Sequence, residues 1–381
     1  MIRKNILTLA LSIAVAIAMG EVGLRAWGIS YPEFYRLDSR LGWSPRPGIE
    51  GIHAMEGRTR IKINAEGFRD VDHAAAKGAF RVAVLGDSFT EAREVPLEDT
   101  YWKVMEALLS RCKGLSGAEV LGFAVNGYGT AQQLLVLDDR VWKYAPDLVM
   151  LAFFTGNDVL NNSRVLDRHP DRPYFVIRDG ALVLDSSNLS TFRFKAKKAW
   201  GEVKHGLYNS LRTLQVARQA YLRVKSAWKN RETTLAQQLG AGLNGAVYLA
   251  PGDGPWAGAW AVTEELIRAM NRRVRDKGAD FWLLTLTNPP QVYPDAGVRE
   301  RYAAALGADG LDYPDRRLAR LAAAEGIPAV SLLEPLRAIA EAGNERLHGG
   351  EASAGGHWNR AGHRAAGKAL AGALCAAYAK P

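Results

Sequence analysis

The chain has 381 residues, a formal net charge of +9, 48% hydrophobic and 23% charged residues. That is enough for one large domain or two small ones with a full core, and too apolar for a disordered chain. The charge is local: Arg193 to Arg231 holds eleven Lys or Arg against one acid, Glu202. The remainder is close to neutral, which makes a general nucleic-acid footprint a poor explanation.

At the N-terminus Arg3 and Lys4 precede an apolar run from Ile6 to Met19, after which Glu21 and Arg25 interrupt Val22, Leu24 and Trp27. About fifteen apolar residues are short of the roughly 20 that a full span needs. Ala16-Ile17-Ala18 also resembles a signal-peptide cleavage site. An uncleaved signal anchor over residues 1–28, basic end cytoplasmic, is the favoured reading. It predicts a single-pass protein of the inner membrane with a periplasmic or otherwise extracytoplasmic body; a secreted form is the alternative. Two cysteines, Cys112 and Cys375, make neither a disulfide framework nor a zinc set, but could pair in an oxidising compartment.

Residues 29–80, with Pro32, Pro45 and Pro47, read as an irregular lead-in. From 81 onward the pattern predicts a three-layer α/β/α domain extending to 381. Arg81–Leu85, Glu119–Val125, Leu148–Phe154, Asp280–Thr287 and Ala329–Leu332 are short apolar strands of the kind buried in a parallel sheet. Helical spacing follows them at Thr100–Cys112, Ala131–Trp142, Arg316–Glu325 and Arg360–Ala379, with another helix at Trp260–Lys277. The alternation implies a flavodoxin-like sandwich of strand order 2-1-3-4-5. Residues 163–256 interrupt it as an insertion: a hairpin turning at Asp179-Gly180, the basic helical stretch and a Gly-rich loop. In that topology the first and last helices share one face of the sheet, with Cys112 and Cys375 near their far ends. A disulfide between them is predicted.

The first strand ends in Gly86-Asp87-Ser88-Phe89-Thr90. Ligands of open α/β sheets bind outside the carboxyl ends of the strands, and a serine entering a helix N-terminus has backbone N–H groups that favour developing negative charge. Taken alone, such a serine is more simply an N-cap. An α/β-hydrolase elbow would need Gly where Thr90 stands.

Three further blocks stand in order at later strand ends or before the last helix: Asn126-Gly127-Tyr128-Gly129-Thr130, Thr155-Gly156-Asn157-Asp158, and His357-Trp358-Asn359-Arg360-Ala361-Gly362-His363. With the serine block, the set resembles the SGNH (GDSL) hydrolases, and Asn64 to Asp70 is similar to membrane-anchored members. The resemblance implies Ser88 as nucleophile, His357 as base, and an oxyanion hole from the Ser88 N–H, the Gly127 N–H and the Asn157 side chain. His363 is the rival base, and Asp87 is assigned to bracing the turn. Thr155 departs from the family's glycine. A larger departure is the acid expected two or three residues before the histidine, where Gly355 and Ala354 stand. Glu351 folding back, a backbone carbonyl, or a catalytically impaired protein are the explanations.

Three functions follow. They are an esterase acting on O-acyl, chiefly O-acetyl, groups of envelope glycans, an O-acyltransferase with the same acyl-enzyme chemistry, and a catalytically dead carbohydrate-binding member. No cofactor or metal is implied, because no acid, His or Cys cluster has ligand spacing. The basic segment 193–231 reads either as a solvated helical lid or as a contact for anionic lipid headgroups or an acidic polysaccharide.

Overall fold

The computed structural model of the protein describes residues 2–229, 233–350 and 353–378. It opens with helix α1 (Ile2–Ala26), 25 residues long, or roughly 37 Å at 1.5 Å per residue. Its Lys4–Ala26 portion is long and apolar enough to cross a membrane. The run is therefore longer than the apolar count suggested. Glu21 and Arg25 lie one turn apart, pair at 2.8 Å and stay in the helix.

Residues 29–80 are not an irregular lead-in. They form two antiparallel hairpins, β1 (Tyr35–Asp38) with β2 (Gly42–Pro45), and β3 (Glu50–His53) with β4 (Thr59–Lys62). Pro32 and Pro47 lie outside the strands and Pro45 ends one, so none interrupts a ladder. In β4, Thr59 and Ile61 are buried and Arg60 and Lys62 exposed, the alternation of a one-sided strand. Ile61 and Ile63 join Phe34 in a small core of their own. The second hairpin's tip, residues 54–58, is drawn inward: a Cβ on Gly57 would collide with the Glu94 carbonyl.

The body follows the predicted alternation. Strand β5 (Arg81–Gly86) leads into α2 (Ser88–Glu91) and α3 (Tyr101–Leu109), and β6 (Glu119–Ala124) into α4 (Thr130–Val136). Strand β7 (Leu148–Phe154) precedes α5 (Asp158–Asn161) and α6 (Arg164–Asp167). A hairpin of β8 (Tyr174–Arg178) and β9 (Ala181–Asp185) then turns at Asp179 and Gly180, both at positive φ as a two-residue turn requires. Two long helices follow, α7 (Phe192–Ser210) and α8 (Arg212–Lys229), then α9 (Leu235–Leu239) and α10 (Pro255–Asp276). The remainder is β10 (Asp280–Leu286), α11 (Ala296–Leu306), α12 (Tyr313–Ala324), β11 (Ala329–Ser331), α13 (Leu333–Gly343), a hairpin of β12 (His348–Gly350) and β13 (Ser353–Trp358), and α14 (Arg360–Tyr378).

The central sheet is β11-β10-β7-β5-β6, every pair parallel. This is the 2-1-3-4-5 order expected. Side chains of β5 and β7 are buried along their whole length, because helices cover both faces. On one face Val82, Val84, Trp102, Leu336 and Leu370 pack together; on the other, Ala83, Leu85, Leu134, Ile267 and Leu318 do. Helices α3 and α14 approach so closely that a Cβ on Gly367 would lie 2.6 Å from the Tyr101 carbonyl oxygen. At the far end of that contact Cys112 and Cys375 form the predicted disulfide, their Cα atoms 5.6 Å apart.

Candidate active site

At the carboxyl edge of β5 the chain turns sharply, because Gly86 has no Cβ to collide with the Thr90 side chain. Asp87 caps α2: its Oδ1 accepts the Phe89 N–H at 2.9 Å, and Ser88 Oγ donates to its Oδ2 at 3.5 Å. Asp87 therefore braces the turn, as the sequence indicated. Burial raises its carboxyl to about 6. Burial and the charge of Asp87 push Asp158 well above the usual carboxylate range. Repulsion between two buried acids is relieved by protonating one.

His357, on β13, reaches the same edge. Its Nδ1 lies 2.8 Å from Glu56 Oε2 and 3.3 Å from Glu94 Oε1. Its backbone N–H also donates to Glu56 Oε2, at 3.0 Å. The ring packs beside Phe89 at 4.9 Å between centroids, and Phe89 stacks on Phe154 at 4.0 Å. An acid at Nδ1 selects the tautomer whose other nitrogen, Nε2, accepts a proton. Burial alone would lower the histidine, but Glu94, Glu56 and Asp87 outweigh it and raise it to about 9. Burial would raise Glu56, yet the hydrogen bonds and charge of His357 hold it at about 2. Glu94 is raised, chiefly by burial.

The carboxylate missing before His357 thus comes from Glu56, 301 residues upstream, with Glu94 behind it. Of the two local positions, 355 is sterically closed. A Cβ on Gly355 would collide with the Gln238 carbonyl, and one on Gly356 would lie 2.7 Å from Glu56 Oε2. The two glycines make room for α9 and for the hairpin tip. Glu351 lies outside the described residues. Glu56 was missed because the tip belongs to a segment read as irregular; the one available signal was alternation on either side of Gly57.

Ser88, His357, Glu56 and Asn157 line one cavity of about 830 Å³, together with Asn126 and Phe89. Asn157 Oδ1 is buried without a hydrogen-bond partner among the described residues. Gly127 adopts φ +76 and its carbonyl accepts from Arg172 at 2.7 Å. It is not among the lining residues, where Asn126 stands instead. The Asn126 N–H donates to Glu91 at 2.5 Å, and the Tyr35 hydroxyl donates to the same carboxylate at 2.6 Å. Thr155, in place of glycine, is buried and donates to the Leu286 carbonyl at 3.1 Å, tying β7 to β10.

The rival histidine is in the core. His363 is fully buried, its Nδ1 accepts the Tyr101 N–H at 3.3 Å, and its ring stacks on Tyr101. Burial lowers it to about 3. Among the described residues one group has metal-ligand geometry, Glu56, Glu94 and His357, with donor atoms within 4.8 Å of one another. The hydrogen bond at His357 Nδ1 accounts for that proximity without an ion.

A second cavity, about 690 Å³, shares Met55 and Asn126 with the first. It is lined by aromatic rings, including Trp43, Trp200 and Tyr208, and by Arg93, Lys197, Lys198, Lys204 and Arg218.

No family model matches the chain, and no curated protein matches it. Solved structures similar to it include an acetyl xylan esterase, 15% identical over 77% of this chain and 100% of that one, with a TM-score of 0.37. A lipase/acylhydrolase from Enterococcus faecalis is 13% identical over 78% and 96%, with a TM-score of 0.40. A GDSL-like lipase from Bacteroides thetaiotaomicron is 13% identical over 78% and 88%, with a TM-score of 0.34.

Proposed function

We propose that the protein is an SGNH-type serine esterase that removes O-acyl groups, chiefly acetyl, from an envelope or exported glycan. The observation that carries this reading is the 2.8 Å contact between His357 Nδ1 and Glu56 at the wall of the cavity that Ser88 also lines. A serine hydroxyl needs a base to become a nucleophile. Neutral His357 takes the Ser88 proton as Oγ adds to the acyl carbonyl, and returns it to the leaving sugar oxygen. Water, activated by the same imidazole, then releases the acyl group from Ser88. The Ser88 N–H and the Asn157 side chain serve as oxyanion donors. The Gly127 N–H, which the resemblance adds, belongs to a residue set back from the lining.

The adjoining cavity supports a glycan substrate, since rings offer stacking faces and the cations complement acidic sugars. It also favours a second reading, transfer of the acyl group to a sugar hydroxyl, because an acceptor would have room beside the acyl-enzyme. The case for a dead binding protein rested on the missing acid, and Glu56 removes that ground. Anchorage by α1 with the body outside the cytoplasm is part of the proposal, supported by the helix and by the disulfide.

The test is p-nitrophenyl acetate turnover beside Ser88→Ala and His357→Ala, with fluorophosphonate labelling of Ser88. Turnover lost in both variants is the expected result. Labelling without turnover would favour transfer, and neither labelling nor turnover would refute the enzyme reading.

A further inference from the structure

Helices α7 and α8 are two-sided. The inner side of α7 carries buried Phe194 and Tyr208 and binds the body through Arg46 to Glu202 at 2.9 Å, and through Lys198 to Ser39 at 2.7 Å. The inner side of α8 carries buried Gln215, which accepts the Tyr31 N–H at 2.7 Å. Arg218 and Leu222 line the second cavity and Ser226 the first. The pair therefore roofs both cavities.

The outer sides are apolar and bare. On α7, Val203 and Leu207 are 65% and 63% exposed, and Trp200, which also lines the second cavity, is 69% exposed; on α8, Tyr221, Val224 and Trp228 are 62%, 60% and 73% exposed. Their spacing of three and four residues puts each set on a single stripe. Scattered surface apolar residues need no explanation, but two aligned stripes with two tryptophans do. Exposed Arg193 and Lys225 border them.

The same helices are fastened to α1. Glu21 accepts the Thr213 N–H at 3.0 Å, Arg25 donates to the Ser210 carbonyl at 2.6 Å, and a Cβ on Gly20 would lie 3.5 Å from Thr213 Cγ2. The junction between α7 and α8 is thus held at the last turns of the one helix, among the described residues, long and apolar enough to cross a membrane.

We propose that the outer faces of α7 and α8 form an interfacial membrane seat, with the tryptophans at the headgroup level and the flanking Lys and Arg on anionic lipid. A merely solvated arm would not carry aligned tryptophans, and the attachment to α1 leaves a bilayer as the nearest apolar phase. Exposed Arg193, Lys195, Arg223 and Lys225, which line neither cavity, favour an anionic surface over a neutral one. The roof of both cavities would then lie against the bilayer, so a glycan still linked to a lipid carrier would meet the site first. This seat stands independently of the esterase reading.

The experiment places the full chain in nanodiscs of phosphatidylcholine with or without phosphatidylglycerol, using bromine-labelled acyl chains that quench nearby tryptophan. Quenching is expected to be stronger with phosphatidylglycerol, and that increment is expected to be lost in Trp200→Phe/Trp228→Phe. A quenched fraction that is the same in the double variant would overturn the seat. So would protection of both tryptophans only upon dimerisation, since the stripes would then face a second copy. Leu207→Asp/Val224→Asp provides the second variant. It should lose the increment while retaining the disulfide and the wild-type near-ultraviolet spectrum, and an unchanged increment would equally overturn the proposal.

Discussion

Glu56→Gln removes a negative charge from His357 Nδ1 while keeping an oxygen able to accept its proton. In the wild type the histidine is raised from 6.5 to about 9, which corresponds to roughly 3 kcal/mol in favour of imidazolium. A general base must be neutral, and with a value near 9 only about 1% of the imidazole is neutral at pH 7. The kcat/KM for p-nitrophenyl acetate should therefore climb roughly tenfold per pH unit from pH 6 and level off near 9, because that ratio follows the free enzyme. Glu94 contributes through its charge, Glu56 through charge and hydrogen bonds, so losing Glu56 should bring the midpoint down by about one pH unit. The plateau should fall as well, by roughly ten- to a hundredfold, because the imidazolium formed in the transition state loses its nearest counter-ion. At pH 7 the two effects oppose each other and the variant looks mildly affected; at pH 10 the defect is plain. The sign of the linkage agrees: imidazolium stabilises the fold fully below about pH 6.5, and that contribution is lost as pH rises through about 9. A midpoint and plateau both unchanged in Glu56→Gln, after subtraction of alkaline background hydrolysis, would refute the reasoning.

Three further perturbations follow from the geometry. Gly355→Asp, which restores the acid at the family's usual position, should destabilise the fold by about 1–3 kcal/mol, because its Cβ meets the Gln238 carbonyl. Thermal unfolding would show this, and an unshifted midpoint would mean the backbone yields there. Asn157→Ala should lower kcat about 10²- to 10³-fold with fluorophosphonate labelling reduced, and unchanged kinetics would remove Asn157 from the oxyanion hole. Cys112→Ser/Cys375→Ser opens a cross-link between residues 263 apart. Chain entropy sets a ceiling of roughly 5.6 kcal/mol on that loss, and an unfolding midpoint equal to that of the wild type would show that α3 and α14 need no tether.

The sheet was legible because strands buried on both faces are unbroken apolar runs, as in Val82 to Leu85 and Leu148 to Phe154, and each ends in a polar loop. Sequence reasoning placed Ser88, Asn157 and His357 at strand ends or before a helix, and the structure brings them to one cavity. The lead-in was misread because Pro32, Pro45 and Pro47 outweighed the weak alternation of four-residue strands. Gly127 was named for the loop that the cavity does include, but the lining position falls one residue earlier, at Asn126. The alternation on either side of Gly57 could announce the hairpin, but no local pattern could announce the role of Glu56. Its role depends on Gly57 packing against Glu94 and on Gly355 and Gly356 leaving space, all of which are tertiary facts.

Supplying the acid from a hairpin rather than from the loop before the histidine changes what the site depends on. The proposed nucleophile opens α2 just after β5, and the proposed base lies on β13. Their orienting carboxylate rides on the segment that joins the sandwich to α1, and that segment is held from outside as well. Gln219 of α8 donates to the Ala54 carbonyl at 3.3 Å, two residues from Glu56, while Thr59 Oγ1 donates to the Arg93 carbonyl beside Glu94. The tip is therefore fixed between the roof helix and the loop carrying the second acid. A displacement of α8 has a short route to His357, through two hydrogen bonds and two residues of chain, whereas Ser88 follows a strand whose side chains are buried along its whole length. The proposed nucleophile is positioned by the sheet, and the protonation of its base is set by Glu94 together with Glu56 of the lead-in.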